Sequence, residues 1–214
     1  MAGTITALEP QKRSRDRVNV YLDGDFAFGL ADFVATNLKV GMRLSDEEIA
    51  ELKAADGLEH AHSRALDYLS YRPRSEAELR DYLTDKGFAE DVVEEVLARL
   101  KRVDLVDDAS FARYWCDNRA RTRPRGKRML AYELRQKGIS SDIIEQALDD
   151  YDEKRAVQRV AREQARRLMH LSPDEFQRRL YGRLARRGFP YDLIRETLAA
   201  DDFPQPDAEQ SEED

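Results

Sequence analysis

Gly87, Gly138 and Gly188 stand 51 and then 50 residues apart, and the residues around them align as well. Leu79, Leu83, Lys86, Phe88, Asp91, Val92, Val93 and Leu97 correspond in order to Leu130, Leu134, Lys137, Ile139, Asp142, Ile143, Ile144 and Leu148. They correspond again to Leu180, Leu184, Arg187, Phe189, Asp192, Leu193, Ile194 and Leu198. A repeat of this period is the mark of stacked helical units, which act through an extended surface. Function is therefore to be sought in surface charge before any pocket.

Each repeat reads as three helices, with boundaries at 59–104, 105–151 and 152–200. The first is expected at 63–71, 75–86 and 90–102, its second helix capped by Ser75 with Glu78. The turn after the first helix carries Arg72-Pro73-Arg74, then Arg123-Pro124-Arg125, then Ser172-Pro173-Asp174. Proline there is expected to open the following helix. The three glycines each follow a last turn with Lys or Arg, as left-handed helix terminators do.

Residues 1–58 read as a β-rich head with a connecting helix. Arg17–Leu22 and Asp25–Leu30 alternate around Asp23-Gly24, a strong hairpin signal. A two-residue loop would put Tyr21 opposite Phe26. A three-residue loop would put Leu22 opposite Phe26 and gather Val18, Val20, Leu22, Phe26, Phe28 and Leu30 on one face; burial favours this second register. Ile5–Leu8 suits an edge strand, and 32–38 a short helix. Ser45 with Glu48 forms a capping box, with Leu44 and Ile49 spaced as a hydrophobic staple. Whether that helix breaks at Gly57 is open.

The chain is mainly α by this reading: three tandem three-helix repeats in a curved elongated array, a small hairpin head, and a disordered acidic tail at 201–214 that cannot bury a face. Charged residues make up 37% of it, against about 25% in ordinary domains. The net charge of −7 hides its distribution. Residues 112–137 carry nine basic against two acidic side chains, and 153–200 twelve against six, while the tail holds seven acids and no base.

At 100° per residue Arg155, Arg159, Arg162 and Arg166 fall in a stripe about 60° wide on a helix expected at 153–171, opposite Val157, Val160, Ala161 and Leu168. Arg179, Arg183 and Arg186 repeat the device away from Phe176, Leu180 and Leu184. In the second repeat Arg119, Arg121, Arg123, Arg125, Lys127 and Arg128 crowd one turn, and 123–128 contains no acid to pair with them. An anionic partner would relieve that repulsion, and arginine suits bidentate contacts with phosphate or carboxylate. Phe111, Tyr114 and Trp115 beside this turn could stack on bases. Their spacing, like the placing of Tyr68, Tyr82 and Tyr181, is nevertheless that of a buried stripe.

Catalytic signals are poor. His60-Ala-His62 lacks accompanying ligands at metal spacing. Cys116, the single cysteine, excludes an internal disulfide and reads as a small core residue. There is no phosphate loop, dinucleotide turn or nucleophile elbow. The expectation is a non-enzyme with no cofactor and no metal, cytoplasmic and without a membrane partner.

Asp107-Asp108-Ala-Ser-Phe111-Ala112, then Arg119-Ala-Arg121-Thr-Arg123-Pro-Arg125-Gly126-Lys127 and Leu130-Ala-Tyr-Glu-Leu134-Arg-Gln-Lys137-Gly138-Ile139, resemble the central signature of the RecX family of bacterial regulatory proteins. Residues 65–200 match that family's three tandem units, and the head resembles an extension of its longer members. The resemblance implies a monomeric modulator that lodges in the groove of the RecA–DNA filament and inhibits ATP hydrolysis, strand exchange and co-protease activity. Binding to single- and double-stranded DNA would be weaker and salt-sensitive. It directs attention to Arg121, Arg123, Arg125, Lys127 and Arg128, and to Arg155, Arg159, Arg162, Arg166, Arg179, Arg183 and Arg186, without dividing them between RecA and DNA. The alternatives are a sequence-independent DNA-binding helical array, and an adaptor that docks through its head.

Overall fold

Asp23 and Gly24 both take positive φ, 50° and 99°, as a two-residue primed turn requires. This computed structural model describes residues 2–11, 14–200 and 203–206. Strands β1 (Gly3–Gln11), β2 (Ser14–Leu22), β3 (Asp25–Ala31) and β4 (Arg43–Leu44) form an antiparallel sheet in the order β3-β2-β1-β4. Leu22 lies opposite Asp25 and Tyr21 opposite Phe26, so the three-residue loop is not the one adopted. The register then shifts, with Val20 opposite Phe28. Ala27 is the extra residue of a bulge, which reverses the side on which Phe26 falls. Val20, Phe28 and Leu30 are buried, Val18 and Leu22 pack against them, and Phe26 is left outside with its ring edge-on to Tyr21. The bulge therefore achieves the burial that the longer loop was expected to supply.

Two further expectations change in the head. β1 is longer than Ile5–Leu8 and is paired on both sides instead of forming an edge. Residues 32–38 form turns, closed by Val34 and Ala35 donating to the Ala31 carbonyl and Leu38 to that of Ala35, and not a helix.

Helix α1 (Asp46–Ser70) begins at the expected capping box: Glu48 N–H donates to Ser45 Oγ at 3.1 Å, and Ser45 N–H to Glu48 Oε2 at 2.7 Å. It continues unbroken through Gly57 and so unites the connecting helix with the first helix of repeat one. Asp56 ties it to the sheet, accepting from Ala31 N–H at 2.6 Å and pairing with Arg17 at 2.8 Å. Helices α2 (Glu76–Asp85) and α3 (Glu90–Arg102) complete that repeat around Ala61, Ala65, Leu79, Leu83, Val93, Val96, Leu97 and Leu100. Each such buried leucine contributes about 2 kcal/mol of transfer free energy.

The chain divides into two compact units, residues 1–74 with 78–106, and residues 75–77 with 107–214. In the second, α4 (Asp108–Thr122), α5 (Lys127–Gln136) and α6 (Ser141–Asp149) form repeat two. Helices α7 (Glu153–Arg166), α8 (Pro173–Ala185) and α9 (Tyr191–Leu198) form repeat three. One core runs through both, from Phe111, Leu130 and Leu134 to Val160, Phe176, Leu184 and Ile194. Helix α7 stops at Arg166 instead of Leu171, with Leu168 still buried in the turns that follow.

The three repeat glycines have φ of 85°, 76° and 87°. Phe88 N–H reaches back to the Leu83 carbonyl and Ile139 N–H to that of Leu134, which is the bond of a Schellman terminator. Of the three prolines, Pro173 alone opens a helix; Pro73 and Pro124 lie in the extended turn before one. The acidic tail mostly lies outside the described residues. Within 203–206, however, Phe203 and Pro206 are buried, and Gln205 donates to the Leu198 carbonyl at 3.3 Å. That stretch forms neither helix nor strand, and its Phe203 ring packs against the core of repeat three.

Candidate functional site

The turn between α4 and α5 is held at its backbone. Arg123 N–H donates to the Arg119 carbonyl at 3.0 Å, ending α4, and Pro124 is buried beneath it. Gly126 N–H donates to the Arg187 carbonyl at 2.9 Å, and Lys127 N–H to Glu153 Oε1 at 2.7 Å. Tyr151 Oη donates to the Arg125 carbonyl at 2.7 Å. A Cβ on Gly126 would overlap the carbonyl group of Gly188, and one on Gly188 would lie 2.7 Å from Met129 Cβ. Repeats two and three are thus interlocked through two glycine backbones. The repeat pattern singled out Gly188, but only packing reveals Gly126, whose φ of −71° is ordinary.

From this fixed turn Arg121, Arg123 and Arg128 project into solvent. Arg125 does not. Its side chain turns inward, with Nε 3.8 Å from Glu133 Oε1 and buried without a hydrogen-bond partner. Glu133 also accepts from Arg119 at 2.7 Å and from the Trp115 indole at 2.9 Å. The absence of an acid within 123–128 was therefore misleading, since Glu133 and Glu153 are delivered by the helices that follow.

What remains is an excess of positive charge, with Arg167 paired to Glu163 at 3.2 Å. Burial disfavours the charged form of Arg187, and the nearby charges of Arg125, Arg123 and Arg167 push in the same direction against a partial offset from Glu163. Arginine stays ionised regardless, so the arrangement costs free energy that an anion would recover. Arg167 and Arg187 escaped the sequence reading. Arg187 looked like the basic residue of a helix end, and Arg167 lies beside the α7 stripe. The signal available for Arg187 was its position one residue before a repeat glycine.

On α7 the exposed Arg155, Arg162 and Arg166 line a shallow groove of about 520 Å³ together with Arg159. Arg159 has a structural task, donating to the carbonyls of Ala120 at 2.8 Å and Arg121 at 2.6 Å, where it caps α4. On α8 Arg183 donates to the buried Gln164 side chain at 2.9 Å, Arg179 meets Glu175 at 3.4 Å, and Arg186 is exposed. Six of the seven arginines are exposed, whereas Arg183 is half-buried against Gln164; periodicity does not show which side chains bend back to the protein.

Phe111 is buried, and Trp115 packs at the core margin with Arg119 over its ring at 4.5 Å. Tyr68 and Tyr82 stack at 4.1 Å against the repeat-one core. A second cleft, of about 550 Å³, has Cys116, Tyr151, Asp117 and Asp152 among its lining residues. Burial pushes the Cys116 thiol up to about 11 and the Tyr151 phenol up to about 12, so both are neutral at ordinary pH. Among the described residues no set of three His, Cys, Asp or Glu could hold a metal ion, and no helix is long and apolar enough to cross a membrane.

Four family descriptions match in chain order: the RecX N-terminal domain over residues 3–45, and the first, second and third three-helix domains of RecX over 61–100, 107–148 and 150–198. The regulatory protein RecX of Bacillus licheniformis is 33% identical over 213 residues, covering 97% of this chain and 81% of the relative. That of Bacillus subtilis is 35% identical over 195 residues, covering 89% and 74%. A crystal structure of regulatory protein RecX superposes with a TM-score of 0.71 at 30% identity, over 91% of this chain and 99% of the other. RecX from Lactobacillus salivarius gives 0.61 at 29%, over 67% and 96%. An N-terminal domain followed by three three-helix domains is thus the arrangement of a known group, and the chain belongs to the RecX family of regulatory proteins.

Proposed function

We propose that this chain regulates the RecA recombinase by binding the RecA–DNA filament through the cationic surface of its second and third repeats. It restrains ATP turnover, strand exchange and co-protease activity without chemistry of its own. The carrying observation is the convergence of Arg123, Arg125, Arg167 and Arg187 at the interlocked turn, where four cations share two carboxylates, Glu133 beside Arg125 and Glu163 beside Arg167. Such a site gains from an anion because the repulsion is already present in the free protein. Arg121, Arg123 and Arg128, with Arg155, Arg162, Arg166 and Arg186, are the contact residues; Arg125 and Lys127 shape the turn from which they project. The protein acts as a cytoplasmic monomer with no cofactor.

The test is RecA ATPase on single-stranded DNA, titrated with the chain and with an Arg123→Glu, Arg128→Glu variant. The wild type should suppress turnover and the variant should need far higher concentrations. Unchanged ATPase under saturating wild-type chain would refute the reading. Bare DNA bound as tightly as the filament, with a salt slope near −5 for about six neutralised phosphates, would favour the simple DNA-binding array.

A further inference from the structure

Helices α8 and α9 leave an open groove of about 440 Å³ between them, on residues that the cationic cluster does not use. Tyr181, Tyr191 and Leu198 are among its apolar lining residues, and Gln177, Arg178 and Arg195 are the polar ones. Tyr191 is the first residue of α9, placed there by Pro190 at the helix N-cap. Its ring meets Tyr181 at 5.3 Å and 61°, an edge contact that leaves Tyr191 59% exposed. An aromatic side chain held at this exposure on a rigid helix end gives up burial it could otherwise gain.

The charges around the groove favour one sign of ligand. Arg178 makes only a 3.5 Å contact with Glu175 and is 76% exposed at its side chain. The Glu196 carboxylate on α9 is taken by Lys154 at 2.5 Å. Among the described residues the charged members of the lining are both arginines. The lining suits an occupant with a flat face for Tyr191 and anionic groups for the two guanidinium groups. Residues 207–214 supply carboxylates but no ring, reading Asp-Ala-Glu-Gln-Ser-Glu-Glu-Asp.

We propose that the α8–α9 groove receives an unpaired base of a single nucleic-acid strand, stacked on Tyr191, with Arg178 and Arg195 on the flanking phosphates. Stacking on an aromatic ring is indifferent to base identity, and it is available only where the base has left a duplex. The inference rests on the nucleic-acid part of the function proposed above.

The test compares, by fluorescence anisotropy of the full chain, an oligo-dT strand, an abasic strand of equal length and charge, and a duplex. The expected result is a preference of about tenfold for oligo-dT over the abasic strand, the size of one base–aromatic stack. Tyr191→Ala should abolish the preference with helicity and salt slope unchanged, and Tyr191→Phe should keep it. Arg178→Gln with Arg195→Gln should lower the salt slope by about two while retaining the preference. Equal wild-type affinity for oligo-dT and the abasic strand would overturn the base site and leave charge-driven binding intact. Failure to bind any of the three would remove the DNA contact itself. A preference that survives Tyr191→Ala, or emerges only after removal of 207–214, would overturn the proposal for the intact chain.

Discussion

The same three residues, Arg-Pro-Arg, close the first helix of repeats one and two, and they behave differently in each. In repeat one Arg72 is locked: its guanidinium donates to both oxygens of Glu78, at 2.9 and 3.1 Å. Arg74 lies 3.8 Å over the ring of Tyr68, which stacks on Tyr82. The 51-residue offset places Met129 where Glu78 stands, Arg119 at Tyr68 and Glu133 at Tyr82. The stacked ring pair of repeat one thus becomes the Arg119–Glu133 ion pair of repeat two, and Arg125 is drawn inward as Arg74 is. Arg123 has lost its carboxylate to Met129 and faces solvent. A charge counted in a sequence is left open to a partner only where the neighbouring helix withholds a counter-ion.

The largest expected effect concerns the clamp beneath the second turn. Repeat one buries Ser75 where repeat two has Gly126, so Gly126→Ser restores the repeat-one residue. It should cost about 3 kcal/mol in urea unfolding, because the new side chain meets the backbone of Gly188, which cannot yield as a side-chain tip can. Wild-type stability would show that the two turns are supported alike.

Next is partner binding. Arg123→Glu with Arg128→Glu should weaken filament affinity by about thirtyfold, roughly 2 kcal/mol, whereas Arg72→Glu should leave it within twofold. Comparable losses from both would erase the distinction between locked and unlocked arginines.

Neutral substitutions sharpen the contrast. Arg72→Gln should lower stability by about 1 kcal/mol through loss of a half-buried pair, and Arg123→Gln by less than about 0.3 kcal/mol. Conversely, Met129→Glu should supply the missing lock and weaken filament binding by about threefold with Arg123 still present.

A last effect, confined to the pH range above the carboxylate titration, concerns the support of the second turn. Helix α4, which leads into Arg123, starts at Asp107, whose carboxylate accepts from the Ser110 hydroxyl at 2.6 Å and from Ala109 N–H at 2.9 Å. These bonds, the Ser110 hydroxyl first, hold its pKa below the ordinary 3.8. A lowered folded-state pKa contributes stability that is present above the unfolded value and lost as pH falls through the folded one. Asp107→Ala should therefore cost about 1 kcal/mol at pH 7, with the gap to wild type closing once both lie below the carboxylate range.

Local patterns determined much of this protein. The glycine period, the Ser45 capping box, the alternation around Asp23-Gly24 and the apolar stripes of the repeats all act over a few residues or by recurrence. They were enough for the three-helix repeats and the terminators. Tertiary structure decided the rest. It chose the Ala27 bulge over a longer loop, because burying Phe28 and Leu30 outweighs a regular register and Phe26 is the residue given up. It buried Phe203, an isolated ring that no local pattern marks. It also sorted the arginines, sending Arg159 to the carbonyls of α4, Arg183 to Gln164 and Arg125 towards Glu133, while Arg167 and Arg187 joined Arg123 from another repeat. The physical reason is common to these cases. Helical periodicity sets the direction a side chain takes from its own axis, whereas pairing, burial and repulsion depend on what a different helix places within about 4 Å of it.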